Sequence, residues 1–156
     1  MEGIVKQIHS SLIKKRKTLA VAESCTGGLL SNLLTYIGKS SRYFILGVVA
    51  YSNKAKLDIL AIPPGLIAKK GAVSQEVALK LAQQVKKIAK TDFGIGVTGI
   101  AGPTGGTPQN PIGTVFIAVT SKNKTISKKY RFTGNRLTIR KKSGLKALEL
   151  LKSLLK

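Results

Sequence analysis

The chain has few acids, one histidine, one cysteine and no tryptophan, and each shortage narrows what it can do. The six carboxylates, Glu2, Glu23, Asp58, Glu76, Asp92 and Glu149, lie so far apart that no two fall within ten residues of each other. A calcium loop needs several carboxylates at alternate positions, so none is encoded. A glycosidase pair or a two-metal site would have to be assembled from distant residues. One His and one Cys provide neither a zinc set nor a disulfide framework, and a reducing, cytoplasmic setting is expected. No apolar run approaches the roughly 20 residues that span a bilayer, and the first residues lack the apolar core and cleavage site of a signal peptide. The expectation is a soluble, unprocessed protein with no membrane partner.

What is abundant is lysine. Against those 6 acids stand 27 Lys plus Arg, a formal charge of +21 on 156 residues. Such a field draws anions toward the surface. However, the cations are 22 Lys and only 5 Arg, spread along the whole chain in pairs and singles, and the eight Phe plus Tyr offer few stacking platforms. Base readout favours Arg and single-strand binding favours aromatics, so nucleic acid is expected only as a weak, nonspecific partner. The length and the 43% hydrophobic content suit a single domain, 1–156, with one buried core.

Periodicity lays out an α/β chain. Ile4, Val5, Ile8 and Leu12 recur as one helical stripe over 2–16. Thr18–Ala22 reads as a strand, followed by a glycine turn and a helical pattern to about Tyr36. Phe44–Tyr51 reads as a buried strand. Asn53–Leu60 reads as a short helix that must stop before Pro63 and Pro64. Ser74 is placed to cap a helix carrying Ala78, Leu81, Ala82, Val85, Ile88 and Ala89. Strands follow at Phe93–Thr98 and Gly113–Thr120. The alternating segment Thr125–Phe132 completes a hairpin, and a last helix runs from about Arg136 to Leu155 with Leu145, Leu148, Leu151 and Leu155 on its face. Strands alternating with helices predict a three-layer αβα sandwich around a mixed, mostly parallel sheet.

In such folds ligands gather where strands end in glycine-rich turns, because backbone N–H groups are free there. Two turns qualify. The first, Glu23 to Gly28 (ESCTGG), sets Ser24 and Cys25 at a strand-to-helix junction, where either side chain is a candidate nucleophile and neighbouring amides could stabilise an oxyanion. The second, Gly99 to Pro111, is a thirteen-residue loop with four Gly and three Pro, longer than an idle connector requires. Neither matches a Walker or dinucleotide fingerprint. A nucleophile needs a base, and His9 sits beside Ile8 on the apolar side of the first helix. That leaves lysine, whose charged form is disfavoured by burial and by positive neighbours. Lys54 and Lys56, just after the second strand, are both candidates, and composition does not separate them.

Five segments together carry a resemblance: Ala22–Gly28 (AESCTGG), Ala50–Lys56 (AYSNKAK), Gly71–Ser74 (GAVS), Val97–Pro103 (VTGIAGP) and Pro111–Val115 (PIGTV). In this order, across almost the whole chain, they closely resemble the CinA C-terminal domain family. That family includes stand-alone, PncC-type nicotinamide-nucleotide amidases, and the length of the chain matches that form. The resemblance implies hydrolysis of nicotinamide mononucleotide to nicotinic acid mononucleotide and ammonia, without metal or cofactor, by a cytoplasmic homo-oligomer such as a dimer. It casts Ser24 as nucleophile, Lys56 as base and Tyr51 as an active-site tyrosine. Thr26, Gly27, Gly28, Thr98, Gly99, Gly102 and Arg140 fall at its substrate-binding positions. A Cys25 nucleophile is the competing chemistry. A catalytically silent module that binds nucleic acid or protein in competence or DNA-damage responses is the competing class. The chain departs from the family at Ile37–Arg42, where a Pro-Gly-Ala-Ser stretch is common, and at Asn110, where many relatives have Lys.

Overall fold

A computed structural model describes residues 2–156. The elements are α1 (Glu2–Lys15), β1 (Leu19–Glu23), α2 (Leu29–Thr35), β2 (Phe44–Val49), α3 (Asn53–Leu60), α4 (Pro64–Lys70), α5 (Gln75–Ala89), β3 (Phe93–Gly99), β4 (Thr114–Thr120), β5 (Thr125–Arg131) and α6 (Arg136–Leu154). They build one sheet in the order β2-β1-β3-β4-β5. β1 pairs in parallel with β2 and β3, whereas β3–β4 and β4–β5 are antiparallel. Four of the five strands therefore run in one direction, and the β4–β5 hairpin is the one the alternation predicts.

Period-two alternation sends the side chains of β1 to opposite faces. Leu19 and Val21 join the larger core under α1, α2 and α6, with Val5, Ile8, Leu12, Leu30, Leu148 and Leu151. Ala20 and Ala22 face α5 and pack with Leu60, Ile62, Val77, Leu81 and Val85. This second face is lined with small residues because α5 lies almost on the backbone. A Cβ at Gly94 or Gly96 would stand 2.2 Å from the carbonyl oxygen of Ala82 or Ala78. Helices cover both faces, as the three-layer reading requires.

Some boundaries differ from expectation for local reasons. β2 ends at Val49 rather than Tyr51, because the chain leaves the sheet at Ala50 and Ser52 caps α3 by accepting from the Ala55 N–H. The two prolines do more than stop α3. Ala61 takes a left-handed C-cap with φ 50°, and Pro64, whose missing N–H costs nothing at a helix start, opens the unanticipated α4. The face of α6 includes Ile139, Ser143, Gly144 and Ala147 beside Leu148, Leu151 and Leu155, while Leu145 is only half-buried. Gly144 is there because α2 packs against it: a Cβ would meet Leu29 Cδ2 at 2.8 Å. No helix is long and apolar enough to cross a membrane among the described residues.

Candidate active site

The parallel strands β1, β2 and β3 deliver their carboxyl ends to one edge of the sheet, and a cavity of about 310 Å³ opens there. Its walls include Ser24 and Cys25 after β1, Tyr51, Asn53 and Lys56 after β2, Thr98 to Gly102 at the end of β3, and Arg136 from α6. Among the described residues no carboxylate lines it, and the two cations are Lys56 and Arg136.

Lys56 stands one turn into α3, and helical side chains lean toward the N-terminus, which aims it back at the strand ends. It is 2% exposed. Its Nζ lies 3.2 Å from Ser24 Oγ, 3.0 Å from the Ala50 carbonyl oxygen and 3.1 Å from that of Tyr51. Burial lowers its pKa from the ordinary lysine value. Lys54 points the other way, exposed and paired with Asp58, so helical geometry separates two lysines that composition could not.

Ser24 is buried, and its N–H donates to the Val97 carbonyl at 3.0 Å, tying the turn after β1 to β3. The turn closes with Gly27 N–H donating to the Ser24 carbonyl at 3.0 Å. Between them the Cys25 and Thr26 N–H groups, among the described residues, donate to no backbone carbonyl. The Cys25 thiol is pushed up to about 12, chiefly by burial and then by the nearby Glu23 charge, so it is not a thiolate at neutral pH. It packs in the core with Leu30 and Val97.

Thr98, Gly99 and Gly102 lie on the cavity wall as expected. The Thr98 hydroxyl donates to the Ala72 carbonyl, and Asn110 Nδ2 donates to that of Val73, so the glycine loop and the Gly71–Ser74 turn brace each other. Thr26, Gly27, Gly28 and Arg140 are not among the lining residues. Thr26 is fully buried with its hydroxyl unpartnered, and Arg140 donates from Nε and Nη2 to the Thr26 carbonyl at 3.2 and 2.9 Å. His9 is remote, near the Tyr43 hydroxyl at 3.4 Å.

Two participants escaped the sequence reading. Arg136, one helical turn before Arg140, reaches the cavity, where Nη1 donates to the Gly102 carbonyl at 2.7 Å and Nη2 to the Tyr51 hydroxyl at 2.8 Å. The signal was an Arg at i and i+4 at the start of one helix. Glu23, fully buried, accepts from the N–H groups of Gly28, Leu30 and Ser31 and from the Ser31 hydroxyl. It caps α2 from outside the helix, and the hint was an acid closing an apolar strand ahead of a helix whose N-cap, Gly28, has no side chain.

Known proteins share both the sequence and the fold. The family model described as the CinA C-terminal domain matches residues 1–155. A CinA-like protein from Thermotoga maritima is 46% identical over 156 residues, covering 100% of this chain and 37% of its own length. One from Koribacter versatilis is 49% identical over 149 residues, covering 95% of this chain and 36% of its own. The chain thus spans little more than a third of these relatives. The crystal structure of the competence/damage inducible protein CihA from Agrobacterium tumefaciens superposes with a TM-score of 0.97 at 34% identity, covering 99% of this chain and 95% of that one. A CinA superfamily protein from Escherichia coli superposes at 0.94 and 31% identity, covering 98% and 89%. On sequence and fold together, the chain belongs to the CinA C-terminal domain family.

Proposed function

We propose that this domain is a nicotinamide-nucleotide amidase, converting nicotinamide mononucleotide and water to nicotinic acid mononucleotide and ammonia. The observation that carries the reading is the environment of Lys56 Nζ. A neutral amine has two N–H bonds and one lone pair. The Ala50 and Tyr51 carbonyls occupy the two N–H bonds, which leaves the lone pair for the Ser24 hydroxyl 3.2 Å away. Burial supports the neutral form by penalising the ammonium.

Ser24 Oγ attacks the carboxamide carbon while Lys56 takes its proton. The Cys25 and Thr26 N–H groups, directly after Ser24, donate to no backbone carbonyl among the described residues and are the candidate donors for the negative charge on the amide oxygen, with Cys25 on the cavity wall itself. As the tetrahedral intermediate collapses, Lys56 returns the proton to the departing nitrogen and ammonia leaves. Water, deprotonated by the same amine, then cleaves the ester and restores Ser24. No cofactor enters these steps. Arg136, with the amides of the glycine loop, is the candidate ligand of the substrate phosphate, and a lining with no carboxylate among the described residues suits an anion. Tyr51 serves twice, its carbonyl orienting Lys56 and its hydroxyl accepting from Arg136.

Ammonia release from nicotinamide mononucleotide by the purified domain tests this. Turnover that disappears in Ser24→Ala supports it. No release, together with steeply salt-dependent retention on a polyanion column, would favour the binding-module reading instead.

A further inference from the structure

We propose that Arg140 is a positioning residue that holds the oxyanion-binding amides in place, not a ligand of the substrate; this rests on the amidase reading above. Both Arg140 bonds go to one acceptor, the carbonyl oxygen of Thr26, from Nε at 3.2 Å and Nη2 at 2.9 Å. That carbonyl and the Gly27 N–H belong to the same peptide group, and the Gly27 N–H donates to the Ser24 carbonyl at 3.0 Å. The Thr26–Gly27 peptide is therefore tied at both edges. The amides of Cys25 and Thr26, which precede it in the turn, cannot swing away without breaking one tie.

The turn is shaped to receive the guanidinium. Gly27 has φ +57°, and a Cβ there would lie 3.1 Å from Arg140 Nη2, so a side chain would both strain the backbone and crowd the cation. The turn is anchored at its other end by the Ser24 N–H on Val97 and beyond it by Glu23 on the Gly28 N–H. Among the described residues Arg140 has no carboxylate partner, so its charge is spent on this carbonyl alone. Arg136, on the same side of α6, takes the place in the cavity that a substrate ligand requires. The two arginines thus divide the work, one facing the ligand and one facing the nucleophile turn.

An uncharged alkyl fluorophosphonate tests this without any phosphate dianion to bind. Ser24 Oγ forms the P–O bond, fluoride leaves, and Lys56 takes the proton; the developing charge on the phosphoryl oxygen needs the same two amides. The rate constant for Ser24 labelling is measured by intact mass in wild type, Arg140→Ala and Arg140→Lys, alongside the thermal midpoint of each. Labelling is expected to fall by about 100-fold in Arg140→Ala, the scale of a catalytic group displaced by about 1 Å, and to return in part with millimolar guanidinium. Arg140→Lys, which keeps charge but loses the planar fork, is expected to label at an intermediate rate and supplies the answer if the alanine variant does not fold. Wild-type labelling with unchanged rates in both variants, whatever their midpoints, overturns the positioning role and leaves the amidase reading intact. A wild-type protein that never labels at Ser24 overturns both.

Discussion

Lys56 Nζ and Ser24 Oγ meet 3.2 Å apart, the amine reaching from the first turn of α3 to the residue that follows β1. Burial lowers the Lys56 pKa, opposed only by the Cys25 side chain, which is uncharged at neutral pH because its own pKa is pushed up to about 12. A base must be unprotonated, so kcat/KM rises with pH as one proton is lost. It levels off below the point, about 10.4, where an exposed lysine titrates. Lys56→Met lowers kcat by about 10²- to 10⁴-fold, while Lys54→Met, on the exposed side of the helix, changes it little. A pH–rate profile that falls across this range contradicts the assignment.

Cys25 is expected to be dispensable for chemistry. Its thiol is packed and protonated, so Cys25→Ala keeps its turnover and loses about 1 kcal/mol of stability as a small core truncation. Iodoacetamide leaves the native protein active. Inactivation by thiol alkylation at neutral pH would restore the cysteine mechanism.

Arg136 is the arginine on the cavity wall, so its loss is expected in substrate binding. A hydrogen bond to a charged group contributes about 1.5–3 kcal/mol, which predicts that Arg136→Leu raises KM for the phosphorylated amide by about 10- to 100-fold. The matching measurement on the phosphate-free nucleoside amide should show little change in KM. Equal losses on both substrates would place Arg136 elsewhere in the mechanism.

The motifs that were legible are those in which local chemistry is dictated by neighbours in sequence. The strand–Ser24–glycine turn, the Ser74 cap and the β4–β5 hairpin all follow from adjacent residues, and the structure has them. What was not legible depends on packing between distant elements. Arg136 and Arg140 share one helix, and it is the placement of α6 against the distant turns that lets Arg140 meet Thr26 while Arg136 reaches Gly102. Glu23 similarly became a cap only once β1 and α2 were placed in space.

The close approach of α5 to the sheet makes a stability prediction independent of function. Gly96→Ala puts a methyl 2.2 Å from the Ala78 carbonyl oxygen and 2.6 Å from the Ala82 nitrogen, so the helix must lift. Overpacking of this kind costs about 1–3 kcal/mol, read as a lower midpoint in urea with the slope unchanged. Gly38→Ala, where nothing lies within 4 Å of the new Cβ, is the control and should shift the midpoint far less.

In the proposed mechanism Ser24 becomes acylated during amide hydrolysis. Rapid acid quench of wild type turning over nicotinamide mononucleotide, followed by mass spectrometry of its peptides, tests it directly. The expected result is a nicotinoyl-nucleotide ester on the peptide that contains Ser24, absent in Ser24→Ala. Ammonia release from a wild-type protein whose adduct sits on another residue, or undiminished release by Ser24→Ala, would contradict it.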